Sequence, residues 1–122
     1  MGYYTNFYLE IANEDELAPD TERRVAQFMV DEFDEFESWA SSELNEMPRP
    51  LEVIVAWESM KWYSHRDDMM LLSEKFPECK FVLCGEGEER EDLWKEYYYN
   101  GGFQYAPAYI TYEEPRWNDM MD

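Results

Sequence analysis

The sequence predicts an α+β domain, a ferredoxin-like sandwich whose mainly antiparallel sheet carries two helices on one face, in the order β-α-β-α-β-β-β. Three observations carry that expectation. Short runs rich in aromatic and β-branched residues recur between turn-forming residues. Two intervening stretches place apolar residues at helical spacing. Asn100-Gly101-Gly102 then joins the last two aromatic runs, where Asn and Gly tolerate the positive φ of a tight hairpin. With 122 residues, the span 1–122 reads as a single acidic domain with one core.

Tyr3 to Ile11 alternates loosely and reads as the first strand, with Phe7, Leu9 and Ile11 on one face. Asn13 to Ala18 is polar and turn-like. Pro19-Asp20-Thr21-Glu22 supplies a helix start, with Asp or Thr as cap and acid in the first turn. The helix is expected to run to about Ser41, its stripe formed by Val25, Phe28, Met29, Phe33, Phe36 and Ala40. Asp31, Asp34 and Glu35 fall on the opposite side as an acidic ridge.

Met47-Pro48-Arg49-Pro50 breaks any helix, and Leu51 to Trp57, with Val53, Ile54 and Val55 in succession, reads as a buried strand. A second helix is expected from His65 or Arg66 to Phe76, with Met69, Leu72 and Phe76 on one face and Pro77 as its stop. Lys80 to Cys84 reads as a short strand, and Trp94–Tyr99 with Gln104–Tyr112 as the closing hairpin.

Aromatic residues make up 18 % of the chain, too many for a disordered acidic polymer. Against 29 Asp and Glu stand 10 Lys and Arg, a formal charge of -19, well beyond the magnitude of about 2 to 8 that keeps a small domain soluble. That field opposes folding by self-repulsion, repels nucleic acid and anionic lipid, and attracts basic protein surfaces. Residues 1–50 carry 13 acids and 3 bases and the remainder 16 and 7, so no detachable tail accounts for the charge. An inert acidic coat of the kind found in high-salt habitats goes with few bulky surface aromatics.

Cys79 and Cys84 have no histidine-bearing partner motif and read as free thiols rather than zinc ligands. Met1 to Tyr8 lacks a basic region followed by an apolar stretch, and no run approaches the length of a membrane span. The expectation is a cytoplasmic protein with no cofactor and no metal.

Catalytic motifs are faint. His65-Arg66-Asp67-Asp68 is only superficially similar to a kinase catalytic loop, since the downstream Asn and the glycine loop are missing. His65 fits better as the start of the second helix, where Asp67 and Asp68 favour its positive end. Gly85-Glu86-Gly87-Glu88-Glu89 has a glycine pair, but its glutamates would repel a phosphate, and the spacing fails the calcium-loop pattern. Trp57, Trp62, Tyr63, Trp94, Tyr97 to Tyr99 and Tyr105 read as core and sheet-face residues, some of them interface anchors. No catalytic residue and no enzymatic activity are assigned; an enzyme acting on a small cationic substrate would need a concave acidic pocket.

Trp62-Tyr63-Ser64-His65, Leu72-Ser73-Glu74-Lys75-Phe76-Pro77, Gly85-Glu86-Gly87-Glu88-Glu89 and Tyr97-Tyr98-Tyr99-Asn100-Gly101, taken in that order, resemble small phage-encoded proteins of the YubB-type ferredoxin-like family. The resemblance spans about residues 57–114. It implies a phage or mobile-element origin and an α+β fold, and carries over no catalytic residue. In size and charge the chain is similar to phage counter-defence proteins that imitate the phosphate array of DNA, as anti-CRISPR and anti-restriction inhibitors do.

The expected function is therefore inhibition of a host CRISPR-Cas or restriction nuclease by acidic DNA mimicry inside an infected bacterial cytoplasm, with no direct nucleic-acid binding. Two patches are expected to bind the partner. One is Asp31, Asp34 and Glu35, whose spacing of about 5–6 Å on a helix compares with phosphate separation along a strand. The other is Glu86, Glu88, Glu89, Glu91 and Asp92. The alternative is a non-catalytic interaction module docking through aromatic residues of the sheet. Self-association through a sheet edge stays open.

Overall fold

In the computed structural model the described residues are 4–13, 16–88, 92–109 and 111–120. β1 (Thr5–Ile11) is followed by α1 (Thr21–Glu32), a 3-10 turn (Asp34–Phe36), α2 (Ser41–Asn45) and α3 (Pro50–Ile54). β2 (Ala56–Met60), α4 (His65–Lys75), β3 (Phe81–Glu86), β4 (Leu93–Tyr99), β5 (Gly102–Pro107) and a short α5 (Trp117–Met120) complete the chain. The five strands form one sheet in the order β2-β1-β3-β4-β5, every neighbouring pair antiparallel. The expected α+β class and antiparallel sheet are both present.

Period-two alternation sorts β1, β3 and β4. Phe7 and Leu9, Phe81 and Leu83, and Tyr98 point inward and merge with Val25, Met29, Leu44, Leu51, Met69 and Leu72 of the helices into one core. The register places Tyr8, Val82, Cys84, Lys95, Tyr97 and Gln104 on the other face, which no helix among the described residues covers.

α1 stops at Glu32, short of the expected Ser41, because Phe33 turns extended (φ -111, ψ 121). A continuous helix would have stacked Asp31, Asp34, Glu35 and Glu37 at three- and four-residue spacing, each like-charge pair destabilising by about 0.2–0.5 kcal/mol. The break takes Asp34 and Glu35 off the helical face of Asp31, with Asp34 and Glu37 still within one turn, and still buries Phe33 and Phe36. Asp20 precedes α1, but its carboxylate turns to Arg24 at 3.4 Å instead of capping a backbone N–H.

Leu51 to Ile54 is helical where a strand was expected. Pro50 stands at the first position of α3, and the Glu22 carboxylate of α1 caps it, accepting from Leu51 N at 3.2 Å and Arg49 Nε at 3.0 Å. The sheet segment begins only at Ala56. The number of helices thus exceeds the expected two.

The boundaries of α4 and β3 fall close to expectation. α4 spans His65–Lys75, and β3 runs to Glu86 instead of Cys84. Tyr3, at the expected start of the first strand, lies outside the described residues. Asn100 (φ 49) and Gly101 (φ 85) make the hairpin turn, and Ser73 Oγ of α4 accepts from Gly101 N at 2.8 Å. The last strand ends at Pro107, well before Tyr112.

Candidate functional site

α1 begins beside Phe76 and Glu78 at the end of α4, with Arg24 over the Phe76 ring and Phe28 edge-on to it. Its far end delivers Phe33 and Phe36 to the Trp62 ring, which packs on Phe7. Asn6, next along β1, pairs with Glu86 of β3. The acid at the end of α1 and the β3–β4 connection therefore share the end of the sheet where β1 begins.

Of the predicted partner-binding residues, Asp31 lies in the last turn of α1 while Asp34 and Glu35 sit in the 3-10 turn, so the three do not form one helical ridge. All three are exposed. Gln27 Nε2 donates to Asp31 Oδ1 at 2.8 Å. Glu86 ends β3, and Glu88 accepts from Tyr4 N at 2.8 Å, tying the connection back to β1. Gly87 N donates to the Asp92 carbonyl at 2.8 Å and closes the loop. Glu89 and Glu91 lie outside the described residues.

From Val25 to Pro48 there is no Lys or Arg, while Asp31, Glu32, Asp34, Glu35, Glu37, Glu43 and Glu46 are all exposed. Asp31 and Glu32 stand in the last turn of α1, which carries no base. The partial negative charge of a helix C-terminus disfavours acid there by about 0.3–1 kcal/mol per residue. Ion pairs between described residues engage acids elsewhere: Asp20 and Glu78 with Arg24, Glu22 and Glu52 with Arg49, and Glu96 with Arg66.

Beside the start of β1 lies a pocket of about 280 Å³, with Phe7, Trp62, His65, Asp92, Trp94 and Tyr105 among its walls. Beneath it is a polar cluster around Glu96, which is 1 % exposed. Arg66 donates to Glu96 Oε2 from two nitrogens, at 2.6 and 3.2 Å. Tyr98 Oη donates to Oε1 at 2.8 Å, and His65 Nε2 lies 3.0 Å from the same oxygen. Burial works to raise the Glu96 carboxyl, but the hydrogen bonds from His65, Arg66 and Tyr98 outweigh it and hold it at about 2. Burial, reinforced by Glu96, pushes the Tyr98 phenol well above its ordinary value.

Glu96 went unassigned in the sequence reading. Its signal was the alternation Trp94-Glu96-Tyr98, which places a carboxylate on the inward face of β4, where it requires donors. His65 Nδ1 also lies 3.0 Å from the Trp62 carbonyl, so both ring nitrogens are engaged within the protein. The ring stacks on Trp94 (5.3 Å, 20°). This cluster fastens the start of α4 to β4 and leaves no nitrogen of His65 directed at a substrate.

Asp68 supports the same junction, accepting from Trp62 Nε1 at 2.8 Å and Ser64 Oγ at 2.9 Å. Cys79 and Cys84 are free; burial pushes the Cys79 thiol up to about 11 and raises Cys84 as well, away from thiolate chemistry. Among the described residues, no three His, Cys, Asp or Glu side chains converge as a metal site, and no helix is long and apolar enough to cross a membrane. Trp62 is core, whereas Tyr63, Tyr97, Tyr99 and Tyr105 are exposed. No protein-family model, no curated protein and no solved structure matches this chain.

Proposed function

We propose that this protein acts without catalysis, by occupying the basic nucleic-acid-binding surface of a protein partner with carboxylates that stand in for phosphates. In the phage setting that the sequence resemblance implies, the partner is a host CRISPR-Cas or restriction effector. The split β2–α4–β3 unit, with β1 between its strands, supports the ferredoxin-like part of that reading.

The carrying observation is the stretch from Val25 to Pro48, with seven exposed acids, no base, and two of the acids at a helix end that disfavours them. A merely solvating coat has no reason to place acid against the helix dipole. A recognition surface does, because its charges must match the partner and not the local backbone. Long-range attraction then speeds encounter and weakens with salt.

The test is capture of partners from bacterial lysate at low and high salt, with DNA as competitor. Recovery of a nucleic-acid-guided or restriction nuclease that DNA and salt displace, and that the folded variant Asp31→Lys/Asp34→Lys/Glu35→Lys fails to capture, supports mimicry. A partner indifferent to DNA and retained at high salt sinks it. A second reading, docking through the sheet, draws on the uncovered face bearing Tyr97 and Tyr99.

A further inference from the structure

Two apolar surfaces of this chain have no partner among the described residues. On the uncovered sheet face, Val82, Tyr97, Tyr99 and Gln104 line a groove of about 460 Å³ with Lys80 at its side. Tyr97 and Tyr99 are 40 % and 55 % exposed. After β5, Ala108 N donates to the Leu93 carbonyl, and every described residue from there to Met120 is exposed. Tyr109, Tyr112, Trp117 and Met120 are 61–88 % exposed, although each is a side chain that gains from burial.

We propose that two copies associate through their uncovered faces, each laying its segment 109–120 into the groove beside Tyr97 and Tyr99 of the other. Charge at the groove favours this pairing. Lys80 is the charged residue among those lining it, whereas the segment carries Glu113, Glu114 and Asp119 against Arg116; Lys95, elsewhere on the receiving face, is offset by Glu10 and Glu86. The acid-rich stretch from Val25 to Pro48 belongs to the helical layer on the opposite side, so stacking uncovered faces keeps those stretches apart. Geometry favours a second copy over the chain's own face. The segment leaves β5 at Pro107, opposite Trp94, whereas the groove lies at the other end of the same hairpin, near Tyr99 and Gly102. A two-fold axis brings one end over the other, while a single chain would have to double back along all of β5.

The area suffices. An aromatic side chain buries roughly 150–250 Å², so three from each copy supply on the order of 1,000 Å², near the lower bound for a specific interface.

The full chain is examined by sedimentation or light scattering across a wide concentration range at low and high salt. The expected mass is twice 14.8 kDa, with the dimer fraction rising as salt screens two chains of charge -19. Tyr112→Ser/Trp117→Ser and Tyr97→Thr/Tyr99→Thr are each expected to give monomers with unchanged circular dichroism, since none of these residues is in the core. Mixing the two variants leaves one intact segment and one intact groove, about half the contact, so the mixture is expected to associate only weakly, at concentrations well above those at which the unmodified chain dimerises. A monomer under all conditions, or a dimer that survives both double variants, would overturn the proposal.

Discussion

Replacing Asp31 with Asn and Glu32 with Gln removes two carboxylates from the last turn of α1, a helix end without a compensating base. Each is opposed there by about 0.3–1 kcal/mol, so the double variant is expected to be more stable by about 1 kcal/mol. The amide that Asp31→Asn introduces keeps a carbonyl oxygen for the Gln27 Nε2 bond now made to Asp31 at 2.8 Å, so little is lost in exchange. For a domain of this size the gain is a rise in Tm of about 3–6 °C. Urea and thermal unfolding at low salt measure it, and the gain shrinks as salt is added. The same variant is expected to bind the captured partner less tightly, by about two- to thirtyfold if each exposed charge contributes about 0.2–1 kcal/mol. Stability and binding thus move in opposite directions, which excludes unfolding as the cause of lost binding. A destabilised variant would refute the dipole argument; a stabilised variant that binds equally well would remove this turn from the interface.

Other perturbations test the scaffold. A Cβ at Gly85 would overlap the Trp94 indole, so Gly85→Ala is expected to cost about 1–3 kcal/mol and to change the Trp fluorescence, read in a urea titration. Glu22→Ala removes the cap that α1 lends to α3; a loss of about 0.5–2 kcal/mol is expected, and an unchanged urea midpoint would show the cap to be idle. Glu96 is held at about 2 against an ordinary value of 4.5. Its folded value is depressed, so its contribution of about 3 kcal/mol is complete above pH 4.5 and is lost as pH falls towards 2. Glu96→Gln should flatten that acid limb in unfolding curves taken between pH 5 and pH 2, and a limb of unchanged slope would contradict the assignment.

Where the signal was local, it was legible. Asn100-Gly101 specifies a positive-φ turn wherever it occurs, and both residues adopt it. His65 to Lys75 became a helix just ahead of Pro77. The alternation of β1 placed Phe7 and Leu9 in the core as expected.

Leu51 to Ile54 was misread because its β-branched run suits a strand, while the group that caps it as a helix is Glu22, remote in sequence. The end of α1 was misplaced because the apolar stripe continues through Phe33 and Phe36 even though the backbone does not. Glu96 was passed over among many acids because its distinction is burial, and its Arg66 and His65 donors come from another element.

Composition and short-range pattern by themselves determined an acidic α+β chain, its closing hairpin and the surplus of carboxylates. Those properties belong to single residues or to neighbours along the backbone. Tertiary structure alone decided which carboxylate is buried and which stand exposed at one end of the sheet, which face of the sheet stays bare, and that β1 lies between β2 and β3. These depend on contacts between residues far apart in sequence, whose free energy appears only once the chain has closed on itself.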